Sequence, residues 1–158
     1  MTPQDPSLLT ALTGVANASE PLPGLATGGQ PAETHLRALR DAGAAVVLDI
    51  RDPMEARPFD EVAAVGGIGM RYINVPVTSG ALSDETMERI LAVLRNRSEA
   101  AVFLHCASGN RVGGPLIAHL VLDNGVAEDD AVEIAMRAGL RSVELMEWGL
   151  DYARRKAS

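Results

Sequence analysis

The chain is poor in cysteine, aromatic residues and positive charge. Its single cysteine, Cys106, rules out an internal disulfide and any multi-cysteine zinc site, and fits a reducing compartment. Aromatic residues make up 3% of the sequence, so the core must be built mostly of Ala, Val, Leu and Ile. The net charge of −7 argues against nucleic acid or an anionic membrane as a standing partner. An anionic ligand would have to be drawn in locally, against the overall field. No apolar run approaches the length needed to span a bilayer. The opening MTPQDPSLLTALTGVANA has no Lys or Arg ahead of a hydrophobic region, which makes it a poor signal peptide and suggests a cytoplasmic protein. The three histidines, His35, His105 and His119, are not spaced as a metal site, and neither metal nor cofactor is expected.

What is present reads as one α/β domain. At 158 residues and 47% apolar content, the chain can bury a sizeable core. Residues 1–20, with Pro3, Pro6 and a weak apolar set from Leu8 to Val15, read as a tail or a short helix. The domain proper is expected over 21–158. A short edge strand near Leu25 to Thr27 precedes a helix opened by Pro31 and stopped by Gly43. Ala44 to Ile50 is a continuous apolar run, the pattern of a buried parallel strand. It ends in charge: Asp49, Arg51, Asp52 and Glu55 stand where open α/β sheets bind ligands, although a solvated Arg–Asp loop would look the same. A short helix is expected within Phe59 to Gly69 and a strand over Met70 to Val77. Ser83 can cap the next helix, whose apolar face is Met87, Ile90, Leu91 and Leu94. Helices follow over Leu116 to Leu122 and Glu128 to Ala138, with a last one capped by Ser142. Strands alternating with helices predict three layers: a parallel-rich sheet of about four to five strands with helices on both faces.

The chemistry concentrates in AVFLHCASGNRVGG, residues 101–114. An apolar strand delivers Cys106 into a short polar turn closed by Arg111, and a helix follows. Strand, small-residue loop and helix N-terminus together form an anion-binding concavity. Its N–H groups and Arg111 would favour the thiolate form of Cys106, and a thiolate beside an anion pocket suits a covalent intermediate. A lone cysteine after a strand can also be a small buried hydrophobe. Packing alone, however, does not call for His105, Gly109 and Arg111 at these offsets.

The loop resembles that of the cysteine-dependent phosphatases: His-Cys, a Gly three residues after the Cys, then Arg. Those enzymes place five residues between Cys and Arg. Here there are four, Ala107, Ser108, Gly109 and Asn110, which is the spacing of the rhodanese loop. It is also the spacing of a bacterial phosphatase-like group, the beta-lactamase-hydrolase-like or DUF442 group. ATGGQPAETHLRALRDAGAAVVLDIRD and MRYINVPV resemble that group as well, so the similarity runs over roughly residues 22–124.

The resemblance implies a phosphatase acting on an anionic, phosphorylated small molecule or phosphoprotein. Cys106 would be the nucleophile, and the N–H groups of Ala107, Ser108, Gly109, Asn110 and Arg111 the phosphate cradle. Arg111 would clamp two oxygens and His105 orient the loop. An Asp after the preceding strand would serve as acid; Asp84 matches best and Asp52 next. Val112 stands where phosphatases usually carry Ser or Thr, whose hydroxyl helps the thiolate leave; Ser108 is a partial substitute. Sulfur transfer through a Cys106 persulfide fits the loop spacing and needs no separate acid. A non-catalytic anion-binding module fits the missing hydroxyl. Few aromatics means no sign of a wall for stacking a phosphotyrosine ring. Substrate identity and oligomeric state stay open.

Overall fold

The computed structural model describes residues 7–157. Five strands form one sheet in the order β1–β2–β5–β3–β4: β1 Ser19–Leu22, β2 Leu25–Gly28, β3 Ala44–Asp49, β4 Arg71–Asn74 and β5 Ala101–His105. All neighbours run parallel except β1, which pairs antiparallel with β2. The expected edge strand near Leu25 is therefore an inner strand, and the true edge is β1. Pro21 sits within β1, at the sheet edge where a strand tolerates proline.

Among the described residues, seven helices cover both faces, as a three-layer α/β fold requires. On one face lie α1 Leu8–Ala11, α2 Glu33–Asp41 and α3 Glu61–Gly67. On the other lie α4 Asp84–Arg95, α5 Gly113–Asn124, α6 Glu128–Arg137 and α7 Val143–Lys156. Ser83 and Ser142 cap α4 and α7 through their hydroxyls, in the places the sequence marks. The N-terminal apolar set takes part in the core: Leu8, Leu12 and Val15 pack with Leu36, Leu39 and Phe103. Pro3 and Pro6 lie outside the described residues.

Strand periodicity decides which face each site residue meets. In β5, Val102 and Leu104 join the core under α4 to α7, whereas Phe103 joins the core under α1 to α3. His105 continues the Phe103 side, stacking on that ring at 5.3 Å. Cys106, one residue further, returns to the α5 side. The nucleophile candidate and its neighbouring histidine thus lie on opposite sides of the sheet, at the carboxyl end of its central strand.

Candidate active site

Residues 106–111 turn from β5 into the twelve-residue helix α5. Cys106 is buried, and the backbone N–H of Gly109 donates to its Sγ at 3.1 Å. The loop is held from outside by its carbonyls. Ala107 O accepts from Gln30 N at 3.0 Å, Ser108 O from Asn17 Nδ2 at 2.6 Å, and Asn110 O from Gly113 N at 3.2 Å. In a trans peptide the N–H points opposite the C=O. Pinning these carbonyls outward therefore turns the N–H groups of Ser108, Gly109 and Arg111 the other way. Among the described residues, nothing accepts from the N–H groups of Ala107, Ser108, Asn110 and Arg111. Orphan backbone donors beside a sulfur and a helix N-terminus form the concavity the sequence implies.

The curvature depends on Gly109. Its φ is +99°, and a Cβ there would stand 2.8 Å from Ala138 O and 3.0 Å from Asn17 Cβ. Asn17 is itself wedged between Gly109 and Gly139, and its own φ is +54°. Asn17 thereby buttresses the loop. On the far side, Asn110 Oδ1 accepts from the N–H groups of Arg141 and Ser142, tying the loop to the start of α7.

Arg111 lies between the Glu55 carboxylate and the Cys106 sulfur. Its Nη1 and Nη2 donate to Glu55 Oε2 and Oε1 at 2.7 and 2.8 Å, an end-on bidentate pair. It also interacts with the Cys106 sulfur. The Arg111 hydrogen bond holds the Glu55 carboxyl down at about 2, against burial that pushes it up. Beside Arg111 opens a cleft of about 370 Å³, walled by Asp52 and Glu55 on one side and by Thr78 and Ser79 on the other. Of the charged residues Asp49, Arg51, Asp52 and Glu55 at the end of β3, Asp52 and Glu55 border this cleft. Asp49 and Arg51 are buried and support it from behind. Arg51 bonds Gln30 Oε1, Ala56 O and Glu55, bracing the segment that carries Asp52.

Asp84 is not brought to the cleft. It occupies the first turn of α4 and forms a bidentate ion pair with Arg155 near the end of α7, at 2.7 and 2.8 Å. That hydrogen bond lowers its pKa, and its side chain is 42% exposed. A helix N-terminus and a nearby cation account for its position.

Behind the loop stands a buried polar cluster that the sequence did not reveal. His105 Nε2 meets Glu61 Oε2 at 2.5 Å, and Nδ1 meets Cys106 O at 3.1 Å. Both ring nitrogens therefore face oxygens, which holds the ring behind the loop. Glu61 also accepts from Gln30 at 2.6 Å, and Asp49 takes Arg57 and Tyr72 at 2.7 and 2.6 Å. Donor atoms of Asp49, Glu61 and His105 lie within 4.8 Å of one another, the spacing of a metal site. Their oxygens are already engaged by Arg57, Tyr72, Gln30 and the Arg51 N–H, so the cluster reads as a satisfied polar network. Glu61 looks in sequence like a helix N-terminal charge. Only the fold shows that it lies under His105.

A parallel-rich α/β sheet, a cysteine at the carboxyl end of its central strand, and a backbone cradle closed by an arginine define the cysteine-phosphatase class of domain. A family model described as a DSP-PTPase phosphatase fused to NAD+ kinase matches residues 15–144, and the chain belongs to that family. The chain is similar in structure to a putative phosphatase (DUF442) from Shewanella putrefaciens CN-32, at 20% identity and a TM-score of 0.77, covering 93% of this chain and 97% of that one. It is also similar to Tk-PTP in its active form, at 20% identity and a TM-score of 0.75, over 88% and 97% of the two chains. P. aeruginosa TpbA matches at 19% identity and a TM-score of 0.67, over 89% and 84%. No match to the chain is found among curated proteins. No helix among the described residues is long and apolar enough to cross a membrane.

Proposed function

We propose that the protein hydrolyses phosphomonoesters through a phosphocysteine on Cys106. The observation that carries this reading is the set of unpaired N–H groups at Ala107, Ser108, Asn110 and Arg111, gathered with the Arg111 guanidinium around one buried sulfur. The Cys106 thiolate attacks phosphorus; an S–P bond forms as the ester O–P bond breaks. The cradle and Arg111 hold the non-bridging oxygens while charge redistributes over them. The leaving oxygen takes a proton from an acid in the cleft, and Asp52 is the carboxyl we assign to it because it lines the cleft beside Arg111. Water then attacks phosphorus, giving up its proton to the same carboxylate, and the thiolate departs. Val112, fully buried in the core, has an aliphatic side chain and therefore no hydroxyl to ease that departure. Ser108, exposed on the loop, carries a hydroxyl two residues after Cys106.

The test is a paired assay of one preparation with p-nitrophenyl phosphate and with thiosulfate plus cyanide, for wild type and Cys106→Ser. The expected result is phosphate release by wild type and none by a folded Cys106→Ser. Thiocyanate formation alone, dependent on Cys106, would replace this reading with sulfur transfer, which the four-residue spacing also accommodates. An active Cys106→Ser protein would overturn both.

A further inference from the structure

The cradle is built for one phosphoryl group, and the walls around it set what that group can be attached to. Of the residues lining the cleft, Arg111 is the one cation, and Glu55 takes one hydrogen of each of its terminal nitrogens. Asp52 adds a second carboxylate to the wall. Glu144 adds a third at the rim, where it accepts from Ser79 Oγ and Gly80 N at 3.1 and 3.0 Å and fixes the opposite wall.

Of the nearby arginines, Arg51 and Arg57 are paired with carboxylates, and Arg141 is held by backbone carbonyls and does not line the cleft. Arg51 is spent on Gln30, Ala56 O and Glu55. Arg57 is spent on Asp49 and on backbone carbonyls of its own loop. Arg141 donates its Nη1 to Met136 O and Leu140 O at 2.8 and 2.7 Å. The chain has a single lysine, Lys156, at the far end of the fourteen-residue helix α7 from Ser142, which lines the cleft. At 1.5 Å per residue that helix separates them by roughly 20 Å. A second phosphate on the substrate would therefore meet carboxylates where it needs cations, and like charges brought together across an interface are rejected. No aromatic side chain lines the cleft to grip a ring by stacking.

Building on the phosphatase reading, we propose that this site selects a substrate with one phosphate on an uncharged or cationic body, and refuses bodies that carry further phosphates.

The experiment is calorimetric titration of the full chain with inorganic phosphate and with myo-inositol hexakisphosphate, at equal ionic strength. The expected result is that phosphate binds once per chain and the hexakisphosphate binds no tighter than phosphate, although its six phosphates would favour it about sixfold by number alone. Hexakisphosphate binding tighter than phosphate overturns the proposal. A Thr78→Lys variant, which adds a cation to the wall, should tighten the hexakisphosphate by about tenfold or more while changing phosphate affinity about twofold at most. An unchanged ratio there would mean that missing charge is not what excludes the polyanion, and would also overturn the proposal. The titration reads binding, not turnover. A protein that binds phosphate with this selectivity yet releases none from an ester would sink the phosphatase reading and leave the selectivity standing. Failure to bind phosphate would remove the cradle and this proposal together.

Discussion

At the scale of single residues, the pairing of Arg111 with Glu55 governs how the site meets a phosphate. The end-on pair uses one hydrogen of each terminal nitrogen, leaving Nε–H and the outer hydrogens for the phosphoryl oxygens. Glu55 acts on the reaction only through Arg111, so it is a positioning residue. Glu55→Gln keeps the shape but sets an amide NH2 against a guanidinium N–H. The expected outcome is a drop of about tenfold in kcat/KM for an aryl phosphate with the fold unchanged by circular dichroism. The same variant should alter acid stability. The Glu55 carboxyl is lowered from 4.5 to about 2, so the unfolded chain binds the proton more readily. The pair's contribution is complete above pH 4.5 and is lost as pH falls toward 2. Glu55 keeps 31% side-chain exposure, which screens the effect, but Glu55→Gln should still flatten unfolding free energy across that window. A second contrast separates the two acid candidates. Asp52→Asn should remove the limb of the kcat profile that requires a protonated acid, and Asp84→Asn should leave it in place. The reverse result would assign the proton to Asp84 and require the Arg155 pair to open.

At the scale of elements, loop geometry depends on where α5 begins, and close packing against α7 fixes that position. Gly149 of α7 sits directly on the Gly114 carbonyl, and a Cβ at Gly114 would stand 2.8 Å from Trp148 Cε3. Gly149→Ala must push the helices apart. Overpacking of this kind costs about 1–3 kcal/mol, measurable as a lower urea midpoint, and because α5 carries the end of the loop, activity should fall with it. Sequence reading foresaw the frame of this arrangement: the apolar runs of β3 and β5, the hydroxyl caps of α4 and α7, and the strand–loop–helix around Cys106. Those features are local, written in periodicity and capping chemistry. It missed β1, because two prolines around Ser19–Leu22 disguise an edge strand whose pairing with β2 is tertiary. It did not foresee Glu61 under His105 or Asn17 under Gly109, contacts that span 44 and 91 or more residues and leave no local trace. The resemblance made Asp84 the first acid candidate; in the structure it stands in the first turn of α4, paired with Arg155.

At the scale of the whole molecule, the sheet has a chemical end and a structural end, and a histidine ties the latter together. His119, fully buried in α5, places Nδ1 at 2.8 Å from Asp123 Oδ2 and Nε2 at 2.6 Å from Arg97 Nη1. An arginine N–H can only donate, so Nε2 must accept, and the ring is neutral with its proton on Nδ1. Arg97 carries the tie onward to Pro23 O in the β1–β2 turn, Leu94 O at the end of α4, and Asn124 Oδ1. One side chain thereby joins the edge hairpin, α4 and α5 at the end of the sheet away from Cys106. Burial lowers the His119 pKa below 6.5; Arg97 and Arg95 act in the same direction, and Asp123 opposes them. Protonation would place an imidazole N–H against a guanidinium N–H. The sign follows from linkage: the unfolded chain takes up this proton first, so the contribution of His119 is intact above pH 6.5 and is lost as pH falls below it. His119→Gln retains an acceptor for Arg97 but cannot titrate. Urea unfolding between pH 8 and 5 should therefore show a shallower acid decline in His119→Gln than in wild type, with the two proteins within about 1 kcal/mol of each other at pH 8. Parallel declines would mean that the tie does not titrate.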